Sequence, residues 1–396
     1  MKIIDRPLYT ERIKPYIGKS IIKVLTGQRR VGKSFILRKI AEDIKAVDPT
    51  ANIIVINLED FTFAHVTTAD ALFREINDRS VSGAKNFVFL DEIQEVKDFD
   101  KVLRSLALNP DYDIYVTGSN SKMLSAEMAS RLAGRSIEFH IHPLSYSEFL
   151  TFHRLVDSDE AVMTYLRYGG LPYLINLSDK ETWAEYIANV TDAIVYRDVV
   201  TRHSLRNADF LSRLMLFLAD NIGQLFTAKR IADYIKSQRI SANVTTVQAY
   251  VSYIEEAFIV NRARRWDIEG KRFFEIGEKF FFEDTGIRNS IVGFRPHDLG
   301  AVLENAVYNQ LIINRYSVKI GNIGNKEIDF VAEKNGEFKY IQVALTILDA
   351  DTAEREFGNL EQISDNYEKV LVTLNDTFPN TRNGIKTMNL REFLLS

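Results

Sequence analysis

The chain has 396 residues, no cysteine and a formal net charge of −4, with 46% hydrophobic and 26% charged residues. This length and composition predict two or three domains of an ordinary globular protein, and the lack of cysteine excludes disulfides and thiolate metal sites. The small net charge excludes a general attraction to nucleic acid or to an anionic membrane, so such binding would need a local basic patch.

The location of the protein is predicted from its N-terminus and its apolar segments. The first 20 residues carry charges throughout and lack the apolar core of a signal peptide. No segment approaches the length of about 18 apolar residues that a membrane span requires. We therefore predict a cytoplasmic protein with no membrane partner.

The first predicted strand, residues 21–25, leads into a phosphate-binding loop. Residues 27–34, GQRRVGKS, match the pattern G-x-x-x-x-G-K-[ST], and the apolar spacing of residues 35–44 predicts a helix directly after it. Glycines let such a loop close around phosphate with its N–H groups pointing inward, and the helix start adds a positive dipole end. In this pattern Lys33 reaches the β- and γ-phosphates of ATP, and the Ser34 hydroxyl holds Mg²⁺. The predicted ATP-binding residues are Gly27, Gln28, Arg29, Arg30, Val31, Gly32, Lys33 and Ser34.

A buried strand at residues 87–90 ends in two acids, Asp91 and Glu92. Asp91 lies where a carboxylate would hold Mg²⁺ through water, and Glu92 lies where a base would polarise the attacking water. Two adjacent acids at this place favour a hydrolase over a protein that only binds nucleotide.

The strand predicted at residues 114–117 ends in the polar sequence GSNS. Asn120 in this sequence is predicted to orient the same water or to contact the γ-phosphate; the alternative is an ordinary turn after a strand. The strand at 114–117 and the predicted strands at 21–25, 53–58 and 87–90 alternate with predicted helices. This alternation predicts an α/β fold in which a parallel sheet is covered by helices and binds ligands at the C-terminal ends of its strands.

These motifs, followed by the sequence RLAGRSIEFHIHPLSYSEF, resemble the AAA-type P-loop ATPases of a large prokaryotic family. In that family an N-terminal ATPase precedes a C-terminal domain of uncharacterised function, and the blocks YLRYGGLPYL, EKFFFEDTGIRN and GAVLENAVYNQL continue the resemblance over essentially the whole chain. The resemblance implies ATP hydrolysis with Mg²⁺. It also points to Arg135, and less strongly to Arg131, as an arginine finger for the γ-phosphate of the same or an adjacent subunit. Action on an adjacent subunit would require a homo-oligomer.

The middle of the chain is predicted to be helical, followed by an outline of a winged helix-turn-helix. Its two helices are predicted at 228–237 and 245–257, and its two strands at 259–266 and 272–275. The second helix carries no arginine or lysine up to residue 257, whereas basic residues flank it on both sides. These basic residues would bind a DNA backbone or, alternatively, acidic protein surface, so double-stranded DNA and a protein partner both stay open.

The last segment follows the plan of restriction-endonuclease-like metal-dependent nucleases. Glu304 lies in a predicted helix, and Asp329 and Gln342 lie in a predicted hairpin. The lysine that this plan requires is replaced by Ala344, and the nearest substitutes, Lys339 and Lys326, lie off that position. We therefore predict a nuclease-like fold without nuclease activity.

Four segments are predicted: an ATPase domain at 1–152, a helical lid or linker at 153–205, a winged-helix-like domain at 206–276 and a restriction-endonuclease-like domain at 277–396. The predicted function is hydrolysis of ATP with Mg²⁺ to drive or switch the conformation of C-terminal domains that bind DNA or protein. The alternative is an ATP-gated, metal-dependent nuclease that cleaves DNA through the C-terminal domain.

Overall fold

The structure is a computed structural model that describes residues 3–119, 131–132, 134–374 and 381–396. The chain forms two compact units. The first unit comprises Met1–His142 together with Glu256–Phe258, and the second comprises Pro143–Glu255 together with Ile259–Ser396.

The first unit is a five-stranded parallel sheet with helices between its strands. The strands are β1 (Ile22–Thr26), β2 (Asn52–Asn57), β3 (Asn86–Asp91), β4 (Tyr112–Thr117) and β5 (Ser136–His140). The helices are α1 (Pro7–Ile13), α2 (Lys33–Val47), α3 (Ala69–Arg79) and α4 (Phe99–Leu106). The order across the sheet is β2-β3-β4-β1-β5, and every neighbouring pair is parallel.

Both faces of this sheet are buried, because its strands carry apolar side chains on both sides. Val88 and Leu90 of β3 pack with α3 and α4, whereas the alternating residues Phe87 and Phe89 pack with α1 and α2. Since parallel strands end at the same edge of a sheet, the polar residues that follow β1, β3 and β4 meet there. The predicted α/β fold with a parallel sheet covered by helices is confirmed.

The second unit combines helices with a mixed eight-stranded sheet. Its helices are α5 (Tyr146–His153), α6 (Asp159–Tyr168), α7 (Lys180–Ile194), α8 (Ala208–Asp220), α9 (Ala228–Ser237), α10 (Val244–Glu256), α11 (Thr285–Val292), α12 (Leu299–Ile313), α13 (Ala350–Glu361) and α14 (Leu390–Leu395). Its strands are β6 (Val260–Asp267), β7 (Arg272–Phe282), β8 (Ser317–Ile323), β9 (Lys326–Lys334), β10 (Glu337–Ala344), β11 (Glu368–Thr373), β12 (Thr381–Arg382) and β13 (Ile385–Asn389). They pair in the order β12-β13-β11-β10-β9-β8-β6-β7. No helix among the described residues is both long enough and apolar enough to cross a bilayer.

The eight-stranded sheet joins two segments that the sequence analysis separated at residue 276. Strand β7 runs through this position, and β6 pairs in parallel with β8. A two-stranded hairpin is marginally stable alone, and pairing of its free edge with a third strand stabilises it. The two strands expected to form a wing are therefore part of the same sheet as the strands of the predicted endonuclease-like segment. The winged-helix and endonuclease-like descriptions stay predictions.

Candidate active site

The loop after β1 has a backbone that only glycine permits at two positions. Gly27 has φ 131°, and a Cβ placed on it would lie 2.1 Å from the carbonyl oxygen of Ile141. Gly32 has φ 96° and caps the N-terminus of α2. Non-glycine residues are strained at such φ values, so the two glycines of the phosphate-loop pattern have a direct structural cause.

Lys33, the first residue of α2, points back into this loop. Its ammonium donates hydrogen bonds to the carbonyl oxygens of Gly27 at 2.8 Å and Gln28 at 2.9 Å, and the residue is only 4% exposed. A buried ammonium needs such acceptors, and phosphate oxygens would provide stronger, charge-assisted ones. The predicted lysine is therefore held at the phosphate loop itself.

Ser34 and Asp91, the predicted metal ligands, lie close enough for the Ser34 hydroxyl to lower the pKa of the Asp91 carboxyl. Asp91 is the buried last residue of β3, and the Thr117 hydroxyl donates to its Oδ1 at 2.6 Å. Burial raises the pKa of Asp91, although the hydrogen bonds from Thr117 and Ser34 act in the opposite direction. A hydroxyl and a carboxylate are hard oxygen donors of the kind that Mg²⁺ prefers, so the residues present fit this ion.

The backbone of Glu92 adopts the left-handed conformation, with φ 56°. Its N–H donates to the Thr117 hydroxyl at 2.8 Å, and the same hydroxyl donates to Asp91. Thr117 is fully buried at the end of β4, beside β3. One hydroxyl therefore fixes the positions of both acids.

The side chain of Glu92 is a buried carboxylate among positive charges and donors. Burial alone would raise its pKa, but the charges of Lys33 and Arg29, with hydrogen bonds from Gln94 and Ser119, outweigh burial and lower it. Gln94 Nε2 donates to Glu92 Oε2. The carboxylate is thus anionic at neutral pH and able to accept a proton.

Thr117 and Gln94 were not predicted from the sequence as part of the site. Each lies near a motif that was identified: Thr117 ends the strand before the GSNS sequence, and Gln94 follows Glu92 by two residues. The pairing of β3 with β4 brings Thr117 to Asp91, and this pairing was the missing information.

The remaining residues of the loop divide into buried and exposed side chains. Gln28 and Val31 are fully buried, and the Val31 carbonyl accepts a hydrogen bond from Arg6 at 2.8 Å. Arg30 is exposed with φ 68°, whereas Arg29 Nη1 lies 3.2 Å from Glu59 Oε1. The loop therefore presents one arginine to solvent and one to a neighbouring acid.

Asn120, predicted as a water-orienting residue, lies outside the described residues. Arg135 is exposed and directly precedes β5, and its carbonyl accepts the N–H of Ile22 at the start of β1. This is the edge of the sheet opposite the phosphate loop, and the five residues of β1 separate the two edges by about 16 Å. Action of Arg135 on its own chain does not fit this placement, because its side chain is too short; action on an adjacent subunit stays a prediction. Arg131 Nη1 lies 3.8 Å from Asp100 Oδ1.

In the second unit, the three predicted nuclease residues are brought together. The Asp329 N–H donates to Gln342 Oε1 at 2.9 Å, and the Val343 N–H donates to Asp329 Oδ2 at 2.8 Å. Glu304 of α12 joins them through Lys279 of β7, whose ammonium donates to Glu304 Oε1 at 2.8 Å.

Lys279 is the centre of this buried cluster. Its ammonium lies 2.7 Å from Glu327 and 3.9 Å from Asp329, in addition to its bond with Glu304. Burial would lower the pKa of Lys279, but the three carboxylates outweigh burial and raise it. Ala344, the last residue of β10, has an uncharged side chain. The lysine of the cluster therefore comes from another strand, β7.

The predicted basic patch is partly neutralised within the second unit. Arg262 pairs with Glu255 at 2.5 Å and with Glu278 at 3.2 Å. Arg264 is more exposed and lies 3.9 Å from Glu278. Part of the charge expected to contact DNA is therefore engaged with acids of the same unit.

Two family models match separate parts of the chain. Residues 19–150 match the family model of an AAA domain, and residues 159–298 match a domain of unknown function, DUF8612. An uncharacterised protein of Haemophilus influenzae is 33% identical over 99% of this chain and 99% of its own length. An uncharacterised protein of Methanocaldococcus jannaschii is 28% identical over 95% of this chain and 86% of its own length.

Among solved structures, a Walker-type ATPase of Pyrococcus abyssi matches with a TM-score of 0.53. It is 15% identical, and the match covers 73% of this chain and 96% of that protein, so the likeness concerns the fold alone. The N-terminal part of this chain is thus a P-loop ATPase-like AAA domain, followed by a domain of unknown function. With one third of its residues identical over nearly the full length of both proteins, the chain belongs to the same family as the Haemophilus influenzae protein.

Proposed function

We propose that the first unit binds ATP with Mg²⁺ and hydrolyses it, and that the cycle switches the conformation of a C-terminal part that binds a partner. The observation that carries this proposal is the convergence of Lys33, Ser34, Asp91 and Glu92 at one edge of the parallel sheet. Phosphate-binding, metal-holding and proton-accepting groups are the three components that P-loop hydrolysis requires.

Binding of ATP uses the loop and its lysine. The triphosphate would replace the Gly27 and Gln28 carbonyls as the acceptor of the Lys33 ammonium. Ser34 and Asp91 would hold Mg²⁺, which neutralises charge on the phosphate oxygens when it is bound. The start of α2 adds its positive end to the same place.

Hydrolysis uses the Glu92 carboxylate. Water attacks the γ-phosphorus, the bond between this phosphorus and the β,γ-bridging oxygen breaks, and its electron pair leaves with ADP. The proton lost by the water passes to the Glu92 carboxylate, whose lowered pKa keeps it ionised at neutral pH. Thr117 fixes the Glu92 backbone, so the base is positioned before the substrate binds.

Addition of DNA tests whether the partner of the C-terminal part is double-stranded DNA or a protein. Helix α10 carries no lysine or arginine, and Arg262 is already paired with two glutamates, so a protein partner is favoured over double-stranded DNA. We expect ATP turnover of the full chain to be unchanged by double-stranded DNA between low and physiological salt. A stimulation that declines steeply as salt rises would contradict this expectation and make DNA the partner.

DNA cleavage by the second unit is the other candidate, and Lys279 is the observation that favours it. This lysine supplies the cation that Ala344 cannot, beside Glu304 and Asp329. Its ammonium also stands among the carboxylates that would have to bind a divalent ion, so cleavage would require Lys279 to move away from part of this cluster.

Incubation with supercoiled plasmid and Mg²⁺ or Mn²⁺ tests this candidate. We expect no nicking that depends on Asp329, because the Lys279 ammonium occupies the place among the carboxylates that a divalent ion would need. Nicking by the wild type that is lost in Asp329→Ala and in Lys279→Met, but retained in the surface control Lys334→Met, would establish the nuclease instead.

A further inference from the structure

Arg29, the third residue of the phosphate loop, is directed toward the candidate active site. Its side chain is only 13% exposed, and Nη1 lies 3.2 Å from Glu59 Oε1 in the segment that follows β2. Because β2 and β3 are parallel neighbours, this segment lies at the edge of the sheet that also carries Asp91 and Glu92. The arginine is therefore at the edge where ATP would bind.

Arg29 spans the edge of the sheet at which Asp91 and Glu92 lie. In the order β2-β3-β4-β1-β5, β3 and β4 lie between β1, which precedes the phosphate loop, and β2, which precedes Glu59. An arginine of the loop that pairs with Glu59 therefore passes the C-terminal end of β3, where both acids lie. Since Lys33 of a phosphate loop contacts the β- and γ-phosphates, a guanidinium at this place is within reach of the γ-phosphate.

We propose that Arg29 is a catalytic residue that binds the γ-phosphate in the transition state and so provides, from within the same chain, the charge that the sequence analysis assigned to Arg135. This inference rests on the proposed ATP hydrolysis. It assigns to the phosphate loop a role that Arg135, at the opposite edge of the sheet, does not fill within its own chain.

The exchange of partners is physically favourable. A guanidinium binds phosphate through two parallel charge-assisted hydrogen bonds, whereas its partner Glu59 is a carboxylate with 36% side-chain exposure. Because Glu59 is partly exposed, water screens its pairing with Arg29. The γ-phosphate therefore competes effectively with Glu59 for Arg29. As ADP leaves, charge develops on the transferred group and the bridging oxygen, and the guanidinium stabilises it.

A structural role is the competing explanation, in which the Arg29–Glu59 pair only fastens the loop to the segment after β2. Glu59→Gln separates the two explanations, because it removes the ion pair and keeps the guanidinium. A structural role predicts similar losses for Arg29→Met and Glu59→Gln. A catalytic role predicts a loss for Arg29→Met alone.

The experiment compares wild type, Arg29→Met, Arg29→Lys and Glu59→Gln as full chains with matching thermal melting profiles. Three quantities are measured: turnover of Mg-ATP, affinity for a fluorescent ATP analogue, and trapping of Mg-ADP with aluminium fluoride, which mimics the transferring phosphoryl group. For Arg29→Met we expect turnover to fall by about 10³-fold, the scale typical of arginine fingers. We expect analogue affinity to change by less than about tenfold and aluminium fluoride trapping to be lost. Arg29→Lys should restore part of the turnover, and Glu59→Gln should retain turnover and trapping.

Two results would overturn the inference: trapping in Arg29→Met equal to that of wild type, or an equal loss in Glu59→Gln. Failure of the proposed function itself has a different signature, since the wild type would then show no Mg-ATP turnover and no trapping. Lys33→Ala serves as the reference in both cases, because it should remove nucleotide binding rather than transition-state binding.

Discussion

Replacing Glu92 by glutamine should lower ATP turnover by at least about 100-fold, the lower end of the contribution of general bases, and leave ATP affinity nearly unchanged. The amide retains the shape of the carboxylate and can keep contacts with its neighbours, but it cannot accept a proton from the attacking water. Phosphate release and binding of a fluorescent ATP analogue are measured on the same preparation.

Glu95→Gln is the matched control for this substitution. Glu95 lies on the same turn as Glu92, but its side chain is exposed. The control should retain wild-type turnover. If Glu92→Gln turned over ATP at the wild-type rate, Glu92 would lose its assigned role and another base would have to be found.

Replacing Lys33 by alanine should weaken binding of Mg-ATP by about 100-fold or more. The ammonium is buried in the loop and has charge-assisted bonds to offer the phosphates, and each such bond contributes roughly 1.5–3 kcal/mol, or one to two powers of ten in affinity. The measurement is a titration of the fluorescent analogue in the presence of Mg²⁺.

Lys39→Ala controls for the loss of a positive charge on α2, since Lys39 is paired with Asp43 within that helix. Its affinity for Mg-ATP should match that of the wild type. Undiminished binding by Lys33→Ala would contradict the assignment of residues 27–34 as the phosphate loop.

The phosphate loop could be predicted from sequence because its chemistry is local. Gly27 and Gly32 are required by positive φ, and at Gly27 also by the carbonyl of Ile141, while Lys33 and Ser34 follow at fixed spacing. Asp91 and Glu92 were recognisable as polar residues that end an apolar run. In these cases the local backbone of the loop or of the strand end requires the residue types that form the sequence pattern.

Thr117 and Arg135 show where prediction from sequence ended. Thr117 reaches both acids only because β4 pairs with β3, and strand order is a property of the whole sheet. Arg135 follows the strand predicted at residues 114–117 closely along the chain, yet it directly precedes β5 and lies at the opposite edge of the sheet. Closeness in sequence did not indicate which edge of the sheet a residue occupies.

The C-terminal cluster illustrates the same limit. Glu304, Asp329 and Gln342 were identified from their spacing, whereas Lys279 was missed because the required lysine was expected on the strand of Gln342. A lysine does lie in this cluster, but on β7, a strand that belongs to the same sheet only through β6 and β8. A residue that comes from a distant segment of the chain has no fixed sequence spacing to the other residues of the cluster, so no local pattern predicts it.

The central claim, that the first unit hydrolyses ATP with Mg²⁺, is tested most directly by phosphate release from Mg-ATP by the full-length wild-type protein. The account predicts turnover that saturates with ATP, is lost on addition of EDTA and falls by at least about 100-fold in Glu92→Gln. ATP binding without phosphate release above the level of Lys33→Ala would contradict it, and would mean that ATP occupancy alone sets the conformation of the protein.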